Sequence, residues 1–409
     1  MNNNKIAFYT LGCRLNQAET DKYQDELEKH GFFVVIFKQI FNIAVVNTCA
    51  VTHKADREGR QAIRQLKKKC PHAKIIMTGC SDFKMPEIDF YIKNKENFVG
   101  EFIKIFGASD KTSYATSLQN RYSRTRSNIK IQTGCDNHCT YCLTTIRRGK
   151  SRSFSPIAII NEIKQKEKQG YKEVVLTGVN IGQYKYKNED TNTYLRLPEL
   201  IQQILNQTKI KRIRLSSINP DFVYKNNKFK NLFLNPRLCR HLHLSLQSGS
   251  EKILKSMNRN YTAKQYLLII KDYYKVYPDF GFTTDVIVGF PSETDQDFQD
   301  SLDLVKACKF LKIHIFRYSI REGTPAAIMK DQVDEKIKKQ RAQQLQKVNQ
   351  NLQDEFKKKM KGQKLKVLFE VKKGDYWCGH AGNFFSVKYK SKQNLENKIS
   401  SIIVRCFNL

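Results

Sequence analysis

Ile129-Lys-Ile-Gln-Thr-Gly-Cys135-Asp-Asn-His-Cys139-Thr-Tyr-Cys142 places a three-cysteine loop directly after a strand-like run. Three thiolates so close together can each take one iron of a [4Fe–4S] cube and leave the fourth iron without a protein ligand. An open iron is a place for chemistry. A four-thiolate spacing would close the cluster for electron transfer, and a structural zinc site needs a fourth donor, for which His138 is the nearest local candidate.

The surroundings of this loop define the fold class. Strand candidates follow at Glu173–Thr177, Arg212–Ser216, His241–Leu246, Thr283–Val288 and Lys312–Ser319, separated by helical stretches including Pro156–Gln169, Pro198–Asn206, Ala263–Tyr274 and Asp295–Lys309. Strands with helical crossovers predict an α/β protein whose central part, residues 129–330, is a partial (β/α)6 barrel. Upstream, Lys5–Thr10, Phe32–Phe37, Ile43–Asn47 and Lys74–Thr78 read as strands and Asn16–Lys29 and Lys54–Lys69 as helices. That predicts an open parallel-sheet α/β domain over 1–110. Residues 111–128 read as a linker, 331–362 as a charged connector helix and 363–409 as a short β module.

The chain has 409 residues and a formal net charge of +33, from 72 Lys and Arg against 39 Asp and Glu. Such an excess favours a polyanionic partner. The first residues lack the basic and apolar blocks of a signal peptide, and apolar runs end far below the ~18 residues needed to span a bilayer. A cytoplasmic protein without membrane association is expected. Eleven cysteines in that compartment read as metal or catalytic thiols rather than a disulfide framework.

Cys13, Cys49 and Cys80 each follow the end of a strand candidate. Loops leaving the carboxyl ends of adjacent parallel strands converge on one crevice, so three sequence-distant thiols can meet there. Cys70, Cys239, Cys308, Cys378 and Cys406 sit in no comparable context.

The loop at Cys135, Cys139 and Cys142, with Tyr141 before its last cysteine, resembles the signature of radical S-adenosylmethionine enzymes. The words Gly12-Cys13-Arg14-Leu15-Asn16-Gln17-Ala18-Glu19 and Asn47-Thr48-Cys49-Ala50-Val51-Thr52 resemble the N-terminal domain of the methylthiotransferases within that superfamily. Leu176-Thr177-Gly178-Val179-Asn180, His243-Leu-Ser-Leu-Gln247-Ser-Gly249 and Asp285-Val-Ile-Val-Gly-Phe-Pro291 continue the likeness through the barrel. The resemblance implies two [4Fe–4S] clusters, one on each cysteine trio, and S-adenosylmethionine on the open iron of the barrel cluster, where it yields a 5′-deoxyadenosyl radical. It implies cofactor contacts at Tyr141, Gly178, Ser217 and Gln247, and a reaction replacing an unactivated C–H bond by C–SCH₃. Cys13-Arg14-Leu15-Asn16-Gln17 resembles the branch acting on threonylcarbamoyladenosine at position 37 of tRNA; the other branches act on isopentenyladenosine in tRNA or on a ribosomal protein.

By the same resemblance the C-terminal module is a small RNA-binding β-barrel of the TRAM type. Its lysines, among them Lys366, Lys373 and Lys388, interleave with Phe369, Tyr376, Trp377, Phe384, Phe385 and Tyr389, combining phosphate contacts with stacking faces. The implied partners are a tRNA anticodon stem-loop and an electron donor of flavodoxin or ferredoxin type, with the enzyme a monomer. A reading of another class is an RNA-binding iron–sulfur protein that transfers electrons only. One departure from the family pattern stands beside the cluster loop: Leu143-Thr144-Thr145 occupies the place where an Ile or Val and a Pro are usual.

Overall fold

Strand β1 (Lys5–Thr10) leads through α1 (Arg14–Lys29) to β2 (Phe33–Val35), and β3 (Ile43–Thr48) through α2 (His53–Lys69) to β4 (Lys74–Gly79), β5 (Phe90–Tyr91) and α3 (Phe98–Phe106). All neighbours pair in parallel in the order β2-β1-β3-β4-β5. β3 is buried at every residue, as a central parallel strand covered on both faces must be. Alternate residues serve opposite cores: Val45 joins Tyr23, Leu27 and Phe98, while Ala44 and Val46 join Ile63 and Leu66. Helix α2 begins where the Thr52 side chain accepts the Ala55 amide at 3.2 Å.

The computed structural model describes residues 5–37, 39–108, 125–189 and 192–405. Contacts divide the chain into two units: Met1–Tyr122 with Ile146–Arg148, and Ser123–Thr145 with Gly149–Leu409. Most of the expected linker lies outside the described residues.

The second unit contains β6 (Arg126–Lys130), β7 (Gln132–Thr133), the start of α4 (Thr144–Arg148), β8 (Arg152–Ser153), α5 (Pro156–Lys168), β9 (Glu173–Thr177), the hairpin β10 (Lys185–Asn188) and β11 (Thr193–Arg196), and α6 (Leu197–Gln207). Next come β12 (Arg212–Leu215), β13 (Ser217–Ile218), α7 (Pro220–Lys225), β14 (His241–Leu244), α8 (Glu251–Ser256), α9 (Ala263–Val276), β15 (Gly281–Val288), α10 (Asp295–Cys308), β16 (Lys312–Arg317) and α11 (Glu335–Met360). The parallel orders are β12-β9-β6 and β13-β14-β15-β16, with β12 and β13 separated only by Ser216. The parallel barrel strands therefore follow the expected succession. The first starts at Arg126 rather than Ile129, because Arg126, polar enough to read as linker, pairs with Glu173 at 3.6 Å.

The C-terminal module is a four-stranded antiparallel sheet of β17 (Lys364–Lys373), β18 (Tyr376–Ala381), β19 (Ser386–Lys390) and β20 (Ile399–Ile403), in the order β19-β18-β17-β20. Phe369, Trp377 and Phe385 are consumed by its core, together with Phe356 and Met360 of α11. Phe384 stacks on His380, with ring centroids 5.0 Å apart. Of the six aromatics expected to offer stacking faces, Tyr376 and Tyr389 are the exposed ones; a sheet this small needs the others to fill its own interior.

A buried charge cluster fastens the module to the barrel. Glu173 is fully buried and receives Arg214 at 2.7 Å and Arg126 and Arg212 each at 3.6 Å. Arg214 also donates to the carbonyls of Gly382 and Ala381, at 3.0 and 3.2 Å, and Arg212 to that of His380 at 3.0 Å. Arg126 pairs with Glu370, which also meets His380 at 2.7 Å. Desolvation opposes the Glu173 charge, yet Arg214, Arg126 and Arg212 overcome it and hold the carboxyl down to about 2.

Because that folded value lies below the unfolded one, the stabilisation is complete above the ordinary Glu range, about pH 4.3, and is lost as pH falls towards about 2. Glu173→Ala leaves buried guanidinium groups without their carboxylate and should cost about 3–5 kcal/mol in denaturant unfolding. Glu173→Gln should flatten the dependence of stability on pH across that acid window.

Candidate functional site

In the first unit, the three predicted thiols leave neighbouring strand ends. The Leu11 amide donates to the Asn47 carbonyl at 2.9 Å and the Cys80 amide to the Thr48 carbonyl at 3.0 Å, carrying the parallel ladder into the loops. Gly12, at φ +89°, lies so near Cys49 that a Cβ there would stand 2.5 Å from the Cys49 Cβ and 2.7 Å from its sulfur. Only glycine fits this crossing. Cys13 keeps an accessible surface, Cys49 is buried and Cys80 is half-buried. Desolvation pushes the Cys13 thiol up despite that access, with Arg148 opposing it and Cys80 adding to it. Desolvation drives Cys49 to about 12, and Cys13 and Cys80 contribute. The influence of these thiols on one another places all three together at the strand ends.

The words around these cysteines have structural work. Asn16, fully buried, donates to the Leu11 and Thr48 carbonyls at 2.9 and 2.7 Å, and its own carbonyl accepts from Asn47 at 2.9 Å. Arg148, which clusters with this unit, reaches Glu19 at 2.7 and 3.0 Å and the Asn16 side-chain oxygen at 2.6 Å.

In the second unit, the trio at Cys135, Cys139 and Cys142 is held by its own loop. The Asn137 amide points at the Cys135 sulfur and the Thr144 amide at the Cys142 sulfur, each at 3.4 Å. Arg259 donates to the Cys139 sulfur at 3.0 Å. Desolvation raises Cys135 to about 11 and raises Cys142, and the neighbouring thiols add to both. Among the described residues no three His, Cys, Asp or Glu side chains are grouped as ligands of a single metal ion. A cubane differs from mononuclear zinc in taking each thiolate on a different iron. Three thiols with amide and guanidinium donors aimed at their sulfurs fit such a cluster, and loading it must displace their protons.

Gln132 ties this loop to the barrel. Its side-chain nitrogen donates to the carbonyls of Gly134 and Thr133, at 2.7 and 3.1 Å, and to Ser151 Oγ at 2.9 Å. Its side-chain oxygen accepts the amides of Val179 and Asn180 at 3.0 and 3.1 Å. A Cβ on Gly178 would stand 2.6 Å from that oxygen, so the close approach there is to Gln132. Tyr141 packs in an apolar cluster with Phe290, Met257 and Tyr318. Ser217 begins β13 opposite His243, and Gln247, at φ +69°, bridges to Val286. Buried hydroxyls of Thr177 and Ser216, at the carboxyl ends of β9 and β12, have no hydrogen-bond partner among the described residues; such polar atoms suit a bound ligand. Sequence reasoning missed Gln132 and Arg259, whose contacts reach across the fold. The other cysteines are placed apart from both trios: Cys70, Cys239 and Cys308 are buried and Cys378 is half-buried, while Cys406 lies outside the described residues.

A profile described as the radical SAM superfamily matches residues 129–305, and one described as uncharacterized protein family UPF0004 matches 5–97. The threonylcarbamoyladenosine tRNA methylthiotransferase of Thermotoga maritima is 37% identical, over 94% of this chain and 94% of its own. The chain belongs to the radical S-adenosylmethionine methylthiotransferase family. The enzyme of the same name from Bacillus subtilis is 32% identical over 97% of this chain and 93% of its own. The tRNA-2-methylthio-N6-dimethylallyladenosine synthase of Natranaerobius thermophilus is 33% identical over 89% and 85%. In fold, the chain is similar to the radical S-adenosylmethionine methyltransferase TsrM of Kitasatospora setae, solved with cobalamin and a [4Fe-4S] cluster bound. The TM-score is 0.55 at 12% identity, covering 80% of this chain and 77% of that one. As a member of this family the chain is an enzyme that uses S-adenosylmethionine and two [4Fe–4S] clusters.

Gln132→Leu strands buried amides and carbonyls, and each unmade bond costs about 1–3 kcal/mol. Denaturant unfolding of this methylthiotransferase should show a loss of that size, and limited proteolysis should cut the loop 134–151 faster.

Proposed function

We propose that this chain converts N6-threonylcarbamoyladenosine at position 37 of tRNA to its 2-methylthio derivative. The observation that carries the reading is the near full-length likeness to enzymes named for that nucleoside, among them the Thermotoga maritima relative at 37% identity. Cys135, Cys139 and Cys142 hold the cluster of the barrel, and Cys13, Cys49 and Cys80 hold the second. Bound there, the clusters and S-adenosylmethionine supply radical chemistry able to break an unactivated C–H bond.

The protein's own part is to position and to exclude. Gln132 fixes the loop that carries one trio; Gly12 and Asn16 fix the strand ends that carry the other. Tyr141 closes the loop against an apolar wall that keeps water out. The unpartnered Thr177 and Ser216 hydroxyls offer hydrogen bonds to a ligand at the barrel's carboxyl end, with Gly178, Ser217 and Gln247 nearby as cofactor contacts. The +33 charge and the exposed Lys366, Lys373 and Lys388 of the module suit the phosphates of an anticodon stem-loop. A flavodoxin or ferredoxin type donor supplies the electron to a monomeric enzyme in the cytoplasm.

Two measurements test this. Anaerobically reconstituted protein should hold about eight irons, and replacing either trio by alanine should remove about four, since each cube holds four. Nucleosides from tRNA of a strain lacking the gene should lose 2-methylthio-N6-threonylcarbamoyladenosine, restored by the intact gene but not by Cys139→Ala. Loss of the methylthio-isopentenyl nucleoside instead would move the chain to the other tRNA branch.

A further inference from the structure

Three hydrogen-bond donors, the Asn137 and Thr144 amides and the Arg259 guanidinium, reach sulfurs of the barrel trio, and the Thr144 hydroxyl accepts from one of those sulfurs. Arg259 places one guanidinium nitrogen 3.0 Å from Cys139 Sγ. Its other nitrogens are held by Tyr261 Oη at 3.1 Å, by the Asn219 side-chain oxygen and by the Ser245 carbonyl at 3.4 Å. Among the described residues these partners include no carboxylate. Arg259 is half-buried, and the Cys139 sulfur, once a thiolate, is a partner that carries the opposite charge. The second side chain is Thr144, the first threonine of the departure from the family pattern. Its Oγ1 lies 3.1 Å from Cys142 Sγ. In the thiol the S–H donates to this oxygen, and in a thiolate the hydroxyl donates back to sulfur. Thr145 Oγ1 donates to the Asn137 carbonyl at 3.1 Å, fastening the same departure to the loop whose amide faces Cys135.

We propose that Arg259 and Thr144 are positioning residues that raise the reduction potential of the barrel cluster by stabilising negative charge on Cys139 and Cys142. Reduction by one electron adds negative charge to the cluster, and hydrogen bonds to its sulfurs, like the net charge around it, set how costly that is. A fixed guanidinium at one sulfur and a hydroxyl at another both favour the reduced state. Arg259 contributes more, being charged. The Thr144 hydroxyl is an increment peculiar to this departure; an Ile or Val side chain at the same place has no hydrogen to donate.

The inference rests on the barrel trio holding a cluster, and the test separates the two. In a Cys13→Ala, Cys49→Ala, Cys80→Ala background, iron content reports whether the remaining trio is loaded. Redox titration with dithionite, followed by electron paramagnetic resonance, then reads the potential without tRNA or turnover. Arg259→Gln should leave about four irons bound and lower the ratio of reduced to oxidised cluster at the wild-type midpoint about tenfold, a shift of ~59 mV to more negative values for one electron. Arg259→Lys should recover part of it. Thr144→Val should shift in the same direction by less. A loaded cluster whose midpoint is unchanged in both Arg259→Gln and Thr144→Val overturns the proposal. If Arg259→Gln fails to load, Thr144→Val decides by the same titration, and an unchanged midpoint there overturns the proposal. An unloaded trio in the background protein refutes the cluster assignment on which the inference rests.

Discussion

One buried carboxamide holds the working end of the barrel in shape. Gln132 spends its donors on the cysteine loop and its oxygen on the two amides after Gly178. A loop of eight residues bearing three cysteines has little apolar matter with which to order itself, so its geometry has to be borrowed from a neighbour. Gln132 lends that geometry from a fully buried position on β7. The glycine at 178 follows from this arrangement, since any side chain there would displace the amide oxygen that orders both loops.

Much of the fold was legible because it rests on local pattern. β3 shows its burial in Ile43-Ala-Val-Val, and the strand ends before Cys13, Cys49 and Cys80 announce where their loops must meet. The barrel's succession of apolar runs and helices could be read for the same reason. What escaped was what depends on distant partners. Arg126 looked like linker because its value lies in Glu173. Arg259 carries no local mark of its role, since nothing nearby in sequence points to Cys139. Gly178 read as a place for close approach, but that Gln132 is one of the groups approaching it depends on a partner distant in sequence. In the module, alternation found the strands, but an aromatic that fills a core and one that stacks on a base have the same letter.

The two trios use the same donor atoms in different electrostatic settings. In the first unit the cation beside the thiols, Arg148, is already neutralised by Glu19, a pair buried on both sides. In the second, Arg259 spends its charge on sulfur and neutral oxygens. Equal ligand sets therefore need not give equal clusters: charge and hydrogen bonds in the surroundings distinguish them.

The charge cluster around Glu173 has a consequence for how such a protein can be rebuilt. The C-terminal sheet is not a cassette on a tether. Its backbone carbonyls at 380–382 are among the acceptors that make two buried arginines, Arg212 and Arg214, tolerable at the foot of the barrel. Exchanging this sheet for that of a relative would have to carry the matching barrel residues with it, and cutting it away would open a cationic floor to solvent. Barrel and sheet must be engineered as a single piece.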